Sequence, residues 1–157
     1  MSTGSIANFI VITDTSCLIL LDNIQALPIL HSVYVNIITT PQIAAEYKTP
    51  LPDWINVIPV KDTRLITTYN QQVDLGEASA IALAQETENS LLIVDDLKGR
   101  RLAAELDLKF TGTIGILIMA RQQNKIKSLR PYFELVKSTN FRIAPAILER
   151  ILKDFND

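Results

Sequence analysis

Apolar residues are distributed along the chain in two patterns, short β-branched runs and longer segments with helical spacing. The runs predict four short strands, around residues 9–14, 33–35, 55–60 and 90–94, and a short strand or turn at residues 109–112. The segments between them predict helices; "TTPQIAAEYK", for example, places Thr40 as the N-cap and Pro41 at the first helical position. Because strands alternate with helices, the pattern indicates βαβ units and an α/β fold with a parallel sheet covered on both faces.

Length and composition fit one globular domain, with 157 residues of which 48% are hydrophobic and 20% charged. Residues 1–8 are expected to form a disordered tail, followed by a single domain over residues 9–157. The sequence has no recognisable signal peptide and no apolar run near the roughly 20 residues of a membrane span, so no membrane association is expected. The single cysteine, Cys17, excludes an internal disulfide and suits the reducing cytoplasm. The single histidine, His31, excludes a multi-histidine zinc site.

Charge is unevenly divided along the chain, although the net charge is only −2. Residues 1–97 contain 11 acidic and 3 basic side chains, a balance of −8. Residues 98–157 contain 12 basic and 6 acidic side chains, a balance of +6. This division favours an acidic site in one half and a basic, phosphate-contacting surface in the other. Composition drift over a surface that mixes both halves explains it equally well.

Aspartates follow two of the predicted strands at the point where each strand ends. Asp14 ends the first strand, and Asp95 and Asp96 follow the buried run "SLLIV". Right-handed crossovers bring the carboxyl ends of parallel strands to one edge of a sheet, where ligands bind near the switch in strand order. Neighbouring strands would place these acids about 5 Å apart. The alternative is that each aspartate only caps the helix that follows it.

Two glutamates are further candidates. In "DLGE", Asp74 lies three residues before Glu77, which is the spacing of a capping box, so Glu77 could merely bond the backbone of Asp74. The alanine-rich helix behind it would pack closely on the sheet and hold Glu77 at the same edge. Glu46 lies late in its helix, where a carboxylate is unfavourable against the helix dipole. Surface solvation also explains Glu46.

Basic residues follow the second pair of aspartates directly. Lys98, Arg100 and Arg101 are candidates for contacts with substrate phosphates, or they form a solvated helix face. "FTGTIG" predicts a tight turn at Gly112 with Thr113 as the N-cap of the next helix. A helix N-terminus can hold a phosphate, although capping and close packing explain this segment as well.

Five segments, in this order and spacing, resemble the PIN-domain family: "IVITDTSCLI", "TTPQIAAEY", "LGEASAIALA", "LLIVDDLKGRR" and "TGTIGILIMA". The similarity covers roughly residues 9 to 152 and is strongest to a prokaryotic branch related to VapC toxins. No single motif is specific to the family, whereas the ordered set is. The resemblance implies a three-layer α/β/α sandwich whose parallel strands are ordered 3-2-1-4-5. It also implies a nuclease that cuts single strands and groups its acids around Mg²⁺ or Mn²⁺.

The resemblance also implies roles for individual residues. Asp14, Glu46, Glu77 and Asp95 take the positions of the catalytic acids, and Asp14, Glu77, Asp95 and Asp96 those of the metal ligands, with Asp96 as an alternative to Asp95. Ser16 takes the position of the family's hydroxyl, and Lys98, Arg100, Arg101 and Thr113 are expected to contact substrate. Val94 and Cys17 depart from the family pattern without removing an acid. The implied partners are RNA, a small antitoxin protein and a second copy of the chain.

Three functions compete at this point. A metal-dependent ribonuclease, acting as the toxin of a toxin–antitoxin pair, uses all the acids, because a divalent cation offsets their mutual repulsion and activates water. A nucleic-acid-binding module that keeps the fold without turnover is the alternative. A phospho-accepting receiver fits least well, because its acidic pair follows the first strand and here the pair follows a late one.

Overall fold

Five parallel strands form one sheet at the centre of the computed structural model, which describes residues 8–157. The strands are β1 (Ile10–Thr13), β2 (Asn36–Thr39), β3 (Ile55–Val57), β4 (Ser90–Ile93) and β5 (Phe110–Thr111). Within the described residues the helices are α1 (Thr15–Asn23), α2 (Leu27–Val33), α3 (Pro41–Tyr47), α4 (Thr63–Tyr69), α5 (Leu75–Gln85), α6 (Leu97–Glu105), α7 (Thr113–Gln122), α8 (Arg130–Lys137) and α9 (Pro145–Phe155). Residues 1–7 of the expected tail lie outside the described residues.

The order of the strands places the two acid-bearing strand ends side by side. The order is β3-β2-β1-β4-β5, and every pairing is parallel. Thr13 pairs with Ile93, so the residues that follow β1 and β4 meet at the carboxyl edge of the sheet. The predicted α/β/α sandwich with strand order 3-2-1-4-5 is therefore confirmed, and the switch in strand order lies between β1 and β4.

The sheet and the helices on it share an apolar core. Val11, Ile12, Leu92 and Ile93 are almost fully buried in the two central strands. Helix α5 packs against β1 and β4, and every residue from Gly76 to Ala84 is buried. Its alanines leave short side chains between helix backbone and sheet. The first turn of α5 is therefore held close to the strand ends, as the sequence predicted.

Two strand positions differ from the prediction. The strand placed at 33–35 is wrong, because Val33 ends α2 and the strand runs from Asn36 to Thr39. Parallel pairing of Ile37 with Val11 sets this register, which buries Ile37 and leaves Val35 exposed. The next strand ends at Val57 and not at residue 60. Ile58 N–H makes the last bond of that ladder, to Thr39 O, and the following Pro59 has no N–H to donate.

Several helix boundaries also differ from expectation. Helices α2 and α4 were missed, although Pro28 lies in the first turn of α2. Thr40 caps α3 as predicted, with its side chain accepting from Ile43 N. The N-cap of α7 is Gly112 and not Thr113, so that prediction is wrong.

Helix lengths bear on the expectation of no membrane association. No single helix within residues 8–157 is long and apolar enough to cross a membrane. Only α1 and α2 counted together reach the necessary length and composition, and they are bent by 114° relative to each other.

Candidate functional site

Six carboxylates gather where β1, β4 and the neighbouring helices meet at the carboxyl edge of the sheet. We call this group the acid crevice; it comprises Asp14, Glu46, Asp74, Glu77, Asp95 and Asp96. Four of them, together with Thr15 and Ser16, line a cavity of about 20 Å³: Asp14, Glu46, Asp74 and Glu77. A cavity of this size holds about one water molecule or one cation.

Asp14 lies at the bottom of the acid crevice and is only 2% exposed. One of its oxygens, Oδ1, accepts from Cys17 N at 2.9 Å, so Asp14 does cap α1. The other oxygen, Oδ2, is buried and has no hydrogen-bond partner among the described residues. Burial raises the pKa of Asp14 well above its usual value, and the nearby charges of Asp95, Glu77 and Asp74 raise it further. Helix capping therefore accounts for the position of Oδ1 but not for the burial of Oδ2.

Glu77 points into the crevice from the first turn of α5. Asp74 Oδ1 accepts from Glu77 N at 2.9 Å, as in the expected capping box, and the Asp74 backbone N–H acts in return on the Glu77 carboxylate and lowers its pKa. The Glu77 carboxylate also lines the small cavity with Asp14. Burial, with the charges of Asp74 and Asp96, raises the pKa of Glu77 to about 7. The capping box alone does not account for this side chain.

Asp95 is held by the start of α7. Thr113 donates to it twice, from its backbone N–H at 2.8 Å and from its hydroxyl at 2.6 Å. Thr113 is fully buried, and both donors are engaged by Asp95. The structure thus gives Thr113 a contact with Asp95 in place of the predicted contact with substrate. The N-terminus of α7 is likewise filled by a carboxylate of the chain itself.

Asp96 and Glu46 lie at the exposed side of the acid crevice, and each accepts hydrogen bonds from the chain. Asp96 Oδ2 accepts from Lys98 N at 3.0 Å and Gly99 N at 3.3 Å, so Asp96 caps α6. Glu46 is exposed, and its Oε1 accepts from the Thr15 hydroxyl at 2.6 Å. Of the two neighbouring aspartates that the sequence could not separate, Asp96 is therefore the helix cap and Asp95 is the one bound to Thr113.

Glycines create the space that three of these acids occupy. A Cβ on Gly76 would overlap Glu46 Oε1, and a Cβ on Gly112 would lie 2.7 Å from Asp95 Oδ1 and would overlap the Arg100 guanidinium. A Cβ on Gly99 would lie 3.3 Å from Glu77 Oε2 and 2.7 Å from a methyl group of Val94. The backbone of Gly112 is extended, so this residue is required for space and not for a tight turn.

The predicted cations contribute unequally. Arg100 Nε donates to Val94 O at 3.0 Å, and its guanidinium lies 5.6 Å from the centre of the Phe110 ring, which fixes it beside Gly112 and Asp95. Lys98 and Arg101 are exposed and line neither of the two larger cavities that contain Asp95. Ser16 is exposed and lines both the small cavity and the largest of those that adjoin the crevice.

Three residues at this site were not predicted from the sequence as site residues. Asp74 was interpreted only as a cap, yet it lines the small cavity with Asp14. Phe141 and Arg142, from the segment between α8 and α9, line both larger cavities next to Asp95. No local motif marks them, because they approach Asp95 only through the packing of the C-terminal helices.

Neither the cysteine nor the histidine of this chain is placed to act as a nucleophile or a general base at the acid crevice. Cys17 is buried, and burial raises the pKa of its thiol further above neutrality, so it stays protonated and is a poor nucleophile. His31 lies in the last turn of α2, which leads into the amino end of β2, and it stacks on Trp54 with 4.8 Å between ring centres. The carboxylates are therefore the reactive groups of this edge.

The chemistry of the crevice fits a hard divalent cation. Mg²⁺ prefers oxygen ligands and commonly uses one or two protein carboxylates directly, retaining several waters. Asp14 Oδ2 and the neighbouring Glu77 carboxylate offer such ligands. Within residues 8–157 the acidic side chains do not form a closed set of three or more ligands. Their positions suit a cation held by few carboxylates and not a cage made wholly of protein.

Comparison with known proteins identifies the family. The sequence model described as a PIN domain matches residues 10–157. The chain shows no significant match to a curated protein or to a solved structure. The family match spans nearly the whole chain and agrees with the strand order and with the acids at the carboxyl edge of the sheet. The chain therefore belongs to the PIN-domain family.

Proposed function

We propose that this protein is a ribonuclease that hydrolyses phosphodiester bonds of single-stranded RNA with the help of Mg²⁺ or Mn²⁺. PIN domains are generally nucleases that use divalent metals. The observation that carries the proposal is Asp14 Oδ2, a buried carboxylate oxygen without a partner among the described residues. An ionised oxygen in that position is unfavourable unless a cation or a proton neutralises it. Structural capping does not require such an oxygen.

The residues of the acid crevice divide the work as follows. Asp14 and Glu77 would hold the cation, and Asp95 and Asp96 complete the negative wall beside them. When bound, the cation supplies Lewis acidity and neutralises the charge that develops on phosphate oxygens. Thr113 fixes the orientation of Asp95, and Thr15 does so for Glu46. The exposed Ser16 hydroxyl offers a hydrogen-bond donor to a phosphate oxygen at the mouth of the cavity.

The test is cleavage of a panel of labelled single-stranded RNAs with Mg²⁺ or Mn²⁺ and with EDTA. We expect the wild type to cut, EDTA to stop it, and Asp14→Asn to reduce the rate more than about 100-fold, because a direct ligand is lost. Asp22→Asn, an exposed aspartate on the same helix, is the matched control and should cut normally. Binding of RNA without any cleavage would replace the nuclease by the nucleic-acid-binding module. Cleavage by Asp14→Asn at the wild-type rate would place the activity elsewhere.

We further propose that the protein is the toxin of a toxin–antitoxin pair and acts in the cytoplasm. The support is the resemblance to VapC-like sequences and, for the compartment, a chain with a single cysteine that is buried. Expression should then arrest growth of a bacterial host, and coexpression of a small protein from the neighbouring reading frame should relieve the arrest. Arrest that is equally strong with Asp14→Asn would contradict a toxin that acts by cleavage.

We also propose a homodimer, from the family resemblance and from two exposed apolar side chains. Much of the apolar material on α7 and α9 packs within the chain, since Ile116, Leu117, Leu148 and Leu152 are buried. Leu135 and Ile147 on α8 and α9 remain exposed and could join two copies. Sedimentation at tens of micromolar, where a typical micromolar contact associates, tests this. A monomer at that concentration would contradict it.

A further inference from the structure

The segment between α8 and α9, residues 138–144, forms a wall beside the acid crevice. Two cavities lie along it, of about 500 Å³ and about 220 Å³. Both are lined by Asp95, Phe141 and Arg142, so they meet at the carboxylate that Thr113 holds in place. Phe141 packs partly against the core, and Thr139 Oγ1 accepts from its backbone N–H at 3.2 Å. Phe141 is therefore held in part by the core and by a local hydrogen bond, and it shares both cavities with Asp95.

The larger cavity combines apolar surface with polar groups. Its volume falls in the range of about 300–1,000 Å³ that small ligands occupy. Two of its apolar residues are unusually exposed for their type, Ile19 at 44% and Leu97 at 61%. The other lining residues are Leu20 and Phe141 on the apolar side and Ser16, Asn23, Asp95, Asp96, Asn140 and Arg142 on the polar side. A flat ring with hydrogen-bonding edges suits such a lining, and a nucleobase has that form.

Two guanidinium groups at this wall, Arg142 and Arg100, offer contacts to a phosphate, although Asp95 and Asp96 also line the larger cavity. Arg142 is exposed and makes no ion pair or hydrogen bond within the part of the chain that the structure describes, whereas Arg121, Arg130 and Lys137 each pair with a carboxylate. Arg142 also lines the smaller cavity together with Arg100. A base in the larger cavity would thus leave its phosphate between two guanidinium groups and beside Asp95.

We infer that the larger cavity binds one unstacked base of the nucleic acid strand, with the Phe141 ring as its stacking surface and Arg142 as the contact to an adjacent phosphate. This inference rests on the proposed function for the identity of the strand as substrate. It makes the protein selective for single strands, because a base in a duplex is stacked on both faces and is not free to enter. Base preference would be set by Asn23 and Asn140 at the polar edge.

Binding of labelled strands to the full chain tests the pocket. All variants carry Asp14→Asn, so that RNA is not cut, and anisotropy is measured with a mixed-sequence oligoribonucleotide and with an abasic ribose-phosphate chain of equal length. Phe141→Leu keeps an apolar side chain but removes the ring. We expect it to weaken binding of the oligoribonucleotide about 5- to 100-fold and to leave binding of the abasic chain unchanged. Phe141→Trp should restore the preference for bases.

Arg142→Ala separates the phosphate contact from the stacking contact. It should weaken binding of both strands and lower the magnitude of the slope of log affinity against log salt by about 0.7. Arg150→Ala, an exposed arginine on α9, is the matched control and should change neither. The base pocket would be overturned if Phe141→Leu did not weaken binding, or if it weakened binding of the oligoribonucleotide and of the abasic chain equally. Failure of the Asp14→Asn protein to bind the oligoribonucleotide at all would overturn it too.

A second measurement does not depend on the fold of the Phe141 variants. 2-Aminopurine placed singly along the oligoribonucleotide is quenched where it stacks, so one strongly quenched position is expected with Phe141 present. Uniform quenching at every position would overturn the pocket. Cleavage by the wild type is scored separately. If binding depends on Phe141 but no RNA is cut, the ribonuclease proposal is wrong and the base pocket stands. If RNA is cut and binding does not depend on Phe141, the base pocket is wrong and the ribonuclease proposal stands.

Discussion

Carboxylates occur in two contrasting settings in this molecule. In the acid crevice, Asp14 and Glu77 are buried among other acids, and burial is the main reason that their pKa values are raised. At the end of the chain, Asp157 accepts from Leu129 N at 2.8 Å and from the Arg121 guanidinium, and these bonds lower its pKa. Stability alone would favour the second arrangement, and the first fits the proposed task of holding positive charge.

After the loss of Asp14 itself, the largest effect on cleavage should come from filling the space beside Asp95. Gly112→Ala places a Cβ against Asp95 Oδ1 and the Arg100 guanidinium, so we expect cleavage to fall about 10- to 100-fold, as for the loss of other groups that orient metal ligands. Gly115→Ala is the control for steric overlap as such, because its Cβ would overlap Thr111 Oγ1 but would meet no carboxylate. Rates are compared per folded protein, judged by circular dichroism. Normal cleavage by a folded Gly112→Ala would mean that the position of Asp95 does not matter.

The next effect concerns stability without metal. Asp14→Asn removes a buried charge, so in EDTA it should raise the free energy of unfolding by about 1 kcal/mol, or the melting temperature by about 2–4 °C. Asp22→Asn should leave both unchanged. Added Mg²⁺ should stabilise the wild type more than the variant, because only a folded site binds it. A variant that is less stable than the wild type in EDTA would place Asp14 with the structural carboxylates.

The pH dependence of stability should carry the sign of a raised pKa at Glu77. Between its ordinary value of 4.5 and about 7, the folded protein keeps a proton that the unfolded chain has released. The metal-free wild type should therefore lose stability relative to Glu77→Gln as pH rises through this window, and no further above it. Denaturant titrations in EDTA at several pH values measure the difference. Glu88→Gln, an exposed residue, should show no such trend, and a flat difference for Glu77→Gln would show that the carboxylate is solvated.

The smallest effect concerns Asp157, whose contribution to stability should change with pH in the direction opposite to that of Glu77. Its lowered pKa means that its stabilising contribution is complete above about 3.8 and is lost as pH falls through the lower value of the folded state. Asp157→Asn should therefore be less stable than the wild type at neutral pH and equal to it in strong acid. Asp154→Asn on the exposed face of α9 should match the wild type throughout. Thermal melts at both pH values decide this.

Much of the site could be predicted because it depends on strand ends. Asp14 and Asp95 follow apolar runs that only a buried strand explains, and parallel pairing then brings them together. The sequence could not separate Asp95 from Asp96, because the distinction rests on Thr113, which follows β5 and bonds only Asp95. Strand β2 was misplaced because "SVYV" is also rich in residues that favour strands, and pairing with β1 decided the register. Phe141 and Arg142 carry no local signal at all.

The three glycines that border acids also offer a way to judge related sequences. Acids at a surface edge can persist as helix caps after activity is lost, as the cap formed by Asp96 illustrates. None of Gly76, Gly99 and Gly112 has a positive φ that would require glycine, and each borders a carboxylate that a methyl group would crowd, although Gly99 also borders a methyl group of Val94 and Gly112 is the N-cap of α7. A single-base change turns a glycine codon into an alanine codon, so these positions would drift readily once unneeded. A relative that keeps every acid but replaces these glycines is expected to be a binding protein and no longer an enzyme.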